Sequence, residues 1–242
     1  MIIEKKQGSL NKMEWYEELD FDENPLKNET KFVGNEEALK EAYYSIISGN
    51  ILVIESGEGS GKTKILKEVI RKFGGHGRVA YVCAKALDRE LNIEQILIKK
   101  NGLLGMLFKK DPKNMILLLD DVEYLNAKNL ERIKYYFDSN HLRAVIITTK
   151  SFEKLHLSES MKQRIRKVIT LHSVSEFEAV QIFRDKMGET ILSDRIIKVV
   201  YQLSNKNIQK FLNNCEQVCK AYVANKNLTE DDVRKLFERG VK

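Results

Sequence analysis

Apolar residues follow two patterns along the chain, and the change between them divides the sequence. Up to Leu171, short continuous apolar runs alternate with stretches of helical spacing. The runs are Ile51-Leu52-Val53-Ile54, Val79-Ala80-Tyr81-Val82-Cys83, Met115-Ile116-Leu117-Leu118-Leu119, Ala144-Val145-Ile146-Ile147-Thr148 and Val168-Ile169-Thr170-Leu171. Such runs have the length and uniform hydrophobicity of strands buried on both faces. Between them, three groups recur at helical intervals: Ile65, Leu66, Val69, Ile70 and Phe73; Ile93, Ile96 and Leu97; and Leu125, Leu130, Ile133, Tyr136 and Phe137. Strands alternating with helices require right-handed crossovers, which predicts an α/β fold with a parallel five-stranded sheet flanked by helices.

Beyond Leu171 the spacing is helical only. Ser175-Glu176-Phe177-Glu178 has capping-box spacing ahead of Val180, Ile182 and Phe183. Ser193 stands where it would cap a helix carrying Ile196, Ile197, Val200 and Leu203, and Ile208, Phe211, Leu212, Cys215, Val218, Cys219 and Tyr222 form a longer stripe. Thr229 with Asp232 opens a last helix carrying Val233, Leu236 and Phe237. The expected organisation is an amino-terminal extension over 1–18, an α/β base over 19–172 and a small all-helical domain over 173–242. Residues 1–12 read as a lead-in, with Met13 as an alternative start.

Composition narrows this picture. Apolar residues make up 43% and charged residues 31% of 242, enough for a core and too apolar for a disordered chain. The longest uncharged run, Ala42 to Ile54, is interrupted by Ser48-Gly49-Asn50, and a membrane-spanning helix needs about 20 apolar residues. The start of the chain has no apolar stretch of secretory length, so no membrane association and a cytoplasmic location are expected. Cys83, Cys215 and Cys219 lack zinc-ribbon spacing and read as core residues. An excess of six basic residues and a pI near 9.0 are compatible with a polyanionic partner without specifying one.

The chemistry lies at the ends of two strands. Ser56-Gly57-Glu58-Gly59-Ser60-Gly61-Lys62-Thr63 joins the first apolar run to an amphipathic helix, the setting of a phosphate-binding loop. Gly57, Glu58, Gly59, Ser60 and Gly61 would present main-chain N–H groups to phosphate oxygens at a helix amino terminus. Lys62 would reach the β- and γ-phosphates, and Thr63 would coordinate Mg²⁺. Ser56 departs from the strict pattern, which has glycine there. The third run delivers Asp120 and Asp121 to its carboxyl end, the edge where open α/β sheets bind ligands. Asp120 is the candidate metal-shell carboxylate, and Asp121 the candidate acid that orients or deprotonates water. Asp121 is one methylene shorter than the usual glutamate, and Glu123 is an alternative. With no guanine-reading Asn-Lys-x-Asp sequence, ATP is the expected nucleotide.

On these residues the chain resembles the AAA+ ATPases over roughly 19–240. Phe32-Val33-Gly34-Asn35-Glu36-Glu37-Ala38-Leu39 is similar to the segment bordering adenine in that family, with Val33 at the base and Asn35 where arginine is common. The resemblance implies that Thr148, beside Thr149, senses the γ-phosphate. It implies too that Arg164, within Met161-Lys162-Gln163-Arg164-Ile165-Arg166, serves a neighbouring subunit's ATP as an arginine finger. The helical tail resembles the family's lid, where Ser204-Asn205-Lys206-Asn207-Ile208-Gln209-Lys210 places Gln209 in the position of a phosphate-sensing arginine. The Leu19-Asp20-Phe21-Asp22-Glu23-Asn24-Pro25-Leu26 entry is similar to that of archaeal-type origin-recognition and initiator ATPases, with clamp-loader subunits and transposition or secretion helpers close behind. Initiators normally add a winged-helix domain after the lid, and the sequence ends at Lys242 before one. The segment from Lys99 to Lys110 falls where initiators carry a DNA-touching insertion.

Together these features predict an ATP- and Mg²⁺-dependent switch with slow hydrolysis, in DNA-associated assembly of the replication-initiation, clamp-loading or mobile-element kind. DNA and protein partners, or self-association through the Arg164 face, are the expected contacts. The alternative is a hydrolysis-deficient, ATP-clamped module of a heteromeric complex. A small-molecule kinase would need arginine-rich lid chemistry that the sequence lacks.

Overall fold

The five apolar runs become β1 (Ile51–Glu55), β2 (Val79–Cys83), β3 (Met115–Asp120), β4 (Leu142–Thr149) and β5 (Ile165–Thr170) in a computed structural model, which describes residues 13–29, 32–74, 78–87, 91–100 and 113–238. All pairings are parallel, in the order β2-β3-β4-β1-β5. The strand latest but one in sequence is therefore wedged between β1 and β3, the two strands that carry the candidate chemistry.

Residues alternate across this sheet because successive side chains of a strand point to opposite faces. On one face Val53, Leu117, Leu119, Val145 and Ile147 pack with Ile93 and Leu97 of α3 (Ile93–Lys100) and with Leu130 and Ile133 of α4 (Ala127–Asp138). On the other, Leu52, Ile54, Leu118, Ala144 and Ile146 meet Ala38, Ala42 and Ile46 of α1 (Glu36–Ser48) and Ile65, Leu66 and Val69 of α2 (Lys62–Phe73). Both faces of the central strands are thus buried, which is why they read as unbroken apolar runs.

Two elements differ from the sequence pattern. β5 starts at Ile165, ahead of its apolar run, and ends before Leu171; as an edge strand paired only with β1 it stays partly exposed and accommodates Arg166 and Lys167. α1 has no counterpart among the helices expected from spacing. It closes where Gly49 takes a left-handed backbone (φ 74°) and donates its N–H to Ser45 O, turning the chain straight into β1. A short helical turn, α5 (Glu159–Lys162), precedes β5.

Residues 32–175 form one compact unit. The other contains α6 (Glu176–Met187), α7 (Asp194–Leu203), α8 (Ile208–Ala224) and α9 (Glu230–Glu238), together with residues 13–29. The Ser193 hydroxyl accepts the Ile196 N–H at 3.4 Å, and Thr229 and Asp232 exchange side-chain-to-backbone bonds, so both expected helix starts are present. At the Asn-Pro entry, Asn24 Oδ1 accepts the Leu26 N–H at 3.1 Å, Trp15 and Leu26 are buried, and Lys186 Nζ donates to the main-chain oxygens of Pro25 and Asn28. Cys215 and Cys219 are fully buried free thiols among apolar neighbours, and burial pushes the Cys219 thiol up to about 12, in keeping with packing residues.

A buried polar knot joins α7 to α8. Ser204 Oγ donates to Val200 O at 2.6 Å and accepts from Asn214 Nδ2 at 2.8 Å. The turn that follows forces Asn205 and Lys206 to positive φ (53° and 57°), an unfavourable backbone for a long side chain such as lysine. Lys206→Gly is therefore expected to stabilise the protein by about 0.5–1 kcal/mol, raising Tm by about 1–4 °C in thermal unfolding. A lower Tm would mean that the lysine side chain makes a compensating contact.

Candidate functional site

The chain leaves β1 at Glu55 and enters α2 at Lys62 through the glycine loop. Left-handed backbones at Gly59 (φ 75°) and Gly61 (φ 96°) make the turn, and Gly61 caps α2. Ser56 is not among the positive-φ residues, so the absence of glycine there carries no backbone penalty. Its N–H donates to Thr149 O at 3.1 Å and its hydroxyl to Leu171 O at 3.3 Å. Just before it, Glu55 accepts the Phe152 N–H at 2.8 Å and the Thr170 hydroxyl at 2.9 Å. The root of the loop is thereby tied to the carboxyl ends of β4 and β5.

Lys62 is buried, and its ammonium donates to the carbonyls of Ser56 at 2.6 Å and Gly57 at 2.7 Å. Burial lowers its pKa, while Asp121, Glu123 and Asp120 oppose that shift. Ser60 Oγ donates to Gly57 O at 2.8 Å, and the exposed Glu58 at the tip lies 3.7 Å from Lys150 Nζ.

Facing this loop, Asp120 is 2% exposed and accepts three hydroxyl hydrogen bonds. Its Oδ2 takes them from Thr63 at 2.7 Å and Tyr81 at 3.0 Å, and its Oδ1 from Thr148 at 2.5 Å. Thr148 in turn accepts the Asp121 N–H at 3.1 Å. The wedge position of β4 creates this contact, because Thr148 lies beside Ile54 of β1 and one residue past the Leu119–Ile147 pairing with β3. Thr149, by contrast, is buried near Ser151 and makes no bond to Asp120.

Tyr81 is a site residue that sequence reasoning leaves within a strand. The available signal was a hydroxyl-bearing aromatic inside an otherwise apolar run, and its reach to Asp120 depends on β2 lying next to β3. Burial and the Asp120 charge push its phenol well above the ordinary tyrosine range.

Asp121 adopts a left-handed backbone (φ 55°, ψ 50°) and opens a 3₁₀ turn, Val122–Tyr124. Burial raises its pKa, helped by the charges of Asp120 and Glu123 and opposed by Lys62. The turn also carries Glu123, whose two carboxylate oxygens are both buried and have no hydrogen-bond partner.

Adjacent hydroxyl and carboxylate oxygens of Thr63 and Asp120 are hard donors suited to Mg²⁺. Among the described residues no group of three or more His, Cys, Asp or Glu is arranged to hold a metal by itself. Magnesium commonly binds through one or two protein oxygens, waters and substrate phosphates, so the donor pair fits that ion without a full protein cage.

No protein-family model and no curated protein matches this chain. Solved structures do. The Aeropyrum pernix ORC1 protein in complex with DNA superposes with a TM-score of 0.68 at 12% identity, over 89% of this chain and 68% of that one. The Thermotoga maritima RuvB Holliday junction branch migration motor gives 0.66 at 14%, over 89% and 73%. Domain III of the Thermotoga maritima replication initiation protein DnaA gives 0.62 at 20%, over 90% and 96%. The likeness is one of fold.

Within that fold the remaining candidates are dispersed. Val33 is half-buried in a short segment ahead of α1. Asn35 (φ 54°) pins this segment by exchanging two bonds with the His172 main chain, at 3.0 and 2.9 Å. Arg164 precedes β5, and because β5 runs parallel to β1 with Ile165 beside Ile51, it sits at the sheet edge opposite the glycine loop. Its Nε donates to Asp138 at 2.7 Å, and that bond is the main cause holding the Asp138 carboxyl below its usual range. Arg164 is therefore not brought to its own chain's loop. Gln209, at the start of α8 in the helical unit, donates to Asn213 at 3.3 Å. Most of the Lys99–Lys110 insertion lies outside the described residues. No described helix is long and apolar enough to cross a membrane.

Proposed function

We propose that this protein is an ATPase of the AAA+ type, working as a slow nucleotide-dependent switch. The observation that carries the reading is the Thr63–Asp120–Thr148 hydrogen-bonded set next to a glycine loop whose lysine is buried. It ties together the residue types needed to hold a phosphate, a divalent cation and a γ-phosphate sensor.

In this reading the main-chain N–H groups from Gly57 to Gly61 and the α2 amino terminus bind the phosphates, and Lys62 transfers its donors from the loop carbonyls to phosphate oxygens. Thr63 and Asp120 hold Mg²⁺, which supplies charge neutralisation at the phosphates. Thr148 reports the γ-phosphate to Asp120, and Asp121 orients the attacking water. Val33 borders the base, and Arg164 of one copy completes the site of another. The short Asp121 and the glutamine at 209 favour slow turnover, so nucleotide state matters more than flux. The DNA-bound and DNA-processing proteins that share the fold support work in DNA-associated assembly.

The test is steady-state ATP hydrolysis against protein concentration, with and without double-stranded DNA, and with Lys62→Ala as blank. Specific activity rising with concentration or DNA is the expected result, with Arg164→Ala removing the rise. Blank-level hydrolysis despite tight ATP binding would replace the switch by an ATP-clamped binding module, which the same two departures would also suit.

A further inference from the structure

The unexplained group in the site is Glu123. Neither of its carboxylate oxygens has a hydrogen-bond partner, yet both are shielded from solvent. A buried carboxylate without donors is costly and rarely kept without a use. Its setting is not a random pocket. The left-handed Asp121 ends β3 and opens the 3₁₀ turn that carries Glu123. There its charge acts on both Lys62 and Asp121. The other acids are already engaged or short: both Asp120 oxygens are occupied by hydroxyls, and Asp121 lacks a methylene of reach.

We propose that Glu123 is the proton acceptor for the water that attacks the γ-phosphate, with Asp121 orienting that water. The inference rests on the ATPase reading. In the step, the water oxygen forms a bond to the γ-phosphorus as the bond to the β,γ-bridging oxygen breaks. ADP leaves with that electron pair, and a water proton passes to a Glu123 oxygen before release to phosphate or solvent. The glutamate missing directly after Asp120 is thus supplied three residues on, by a turn that the backbone of Asp121 makes possible.

The experiment compares wild type, Glu123→Gln and Glu123→Asp by single-turnover ATP hydrolysis, equilibrium binding of ATP, and thermal unfolding. Removing a general base typically costs 10²–10⁴-fold in rate. Glu123→Gln is expected to slow hydrolysis at least about 100-fold while keeping ATP affinity within about twofold, and Tm should hold or rise because an unpaired buried charge is gone. Glu123→Asp should fall between the two. Hydrolysis by Glu123→Gln within about threefold of wild type overturns the assignment while leaving the ATPase reading intact. So does a lower Tm with lost ATP binding, the signature of a purely structural glutamate. Wild-type protein that binds no ATP overturns the reading itself, and the assignment with it.

Discussion

Asp120→Ala is expected to abolish hydrolysis and to lower stability together. The side chain is the shared acceptor of three hydroxyls from three different elements, Thr63 of α2, Tyr81 of β2 and Thr148 of β4. Hydrogen bonds to a charged acceptor contribute about 1.5–3 kcal/mol each, and donors left buried without a partner add a cost of their own. Relief of repulsion with Asp121 offsets part of this, so the net loss should be about 2–4 kcal/mol, seen as a fall in Tm of several degrees. Asp120→Asn separates the two effects. It keeps an acceptor oxygen and should recover much of the stability, while hydrolysis stays at least about 100-fold down because the neutral amide is a poor cation ligand. An alanine variant with wild-type Tm would mean that the three hydroxyls find other partners.

Lys62→Ala should act on binding and leave the fold nearly untouched. Among the described residues its ammonium bonds only to two carbonyls of its own loop, and burial already disfavours its charge. Removing it costs the fold two local bonds and relieves a desolvation penalty, so Tm should move by no more than about 2 °C. ATP, in contrast, loses charge-assisted bonds to its β- and γ-phosphates, together about 3 kcal/mol or more, which is at least a 100-fold weaker Kd. Titration with a fluorescent ATP analogue reads this directly. Unaltered affinity would remove the phosphate-binding role from the loop altogether.

How legible each feature was in the sequence depends on how local it is. The glycine loop, Lys62, Thr63 and the acids after β3 are encoded in contiguous segments, and the central strands declare themselves because burial on both faces leaves no polar residue to blur them. The edge strand β5 does not, because Arg166 and Lys167 hide its true start. Tyr81 and the capacity of Ser56 to replace glycine are tertiary facts, set by which strand lies beside which and by a φ value that no residue type reveals. The role of Asp121 as a hinge for Glu123 is of the same kind, since spacing alone places the two acids on an unspecified path. The all-helical tail was readable from its caps, whereas the packing of the Asn-Pro entry against those helices depends on long-range contacts around Trp15 and Leu26.

The insertion of β4 between β1 and β3 has a consequence for biosynthesis. The glycine loop and both aspartates emerge from the ribosome before Leu142 does, but until β4 is made β1 has no strand beside it and β3 can pair only with β2. At about 5–20 residues per second, the interval between Thr63 and Thr149 lasts on the order of 4–17 s. Until it ends, the β4-facing edge of β1, joined by that of β3 once Asp120 is made, stays unpaired and the candidate site is unfinished. During this window the Thr63–Asp120–Thr148 set is incomplete, so a ligand that needs it cannot stabilise the growing polypeptide.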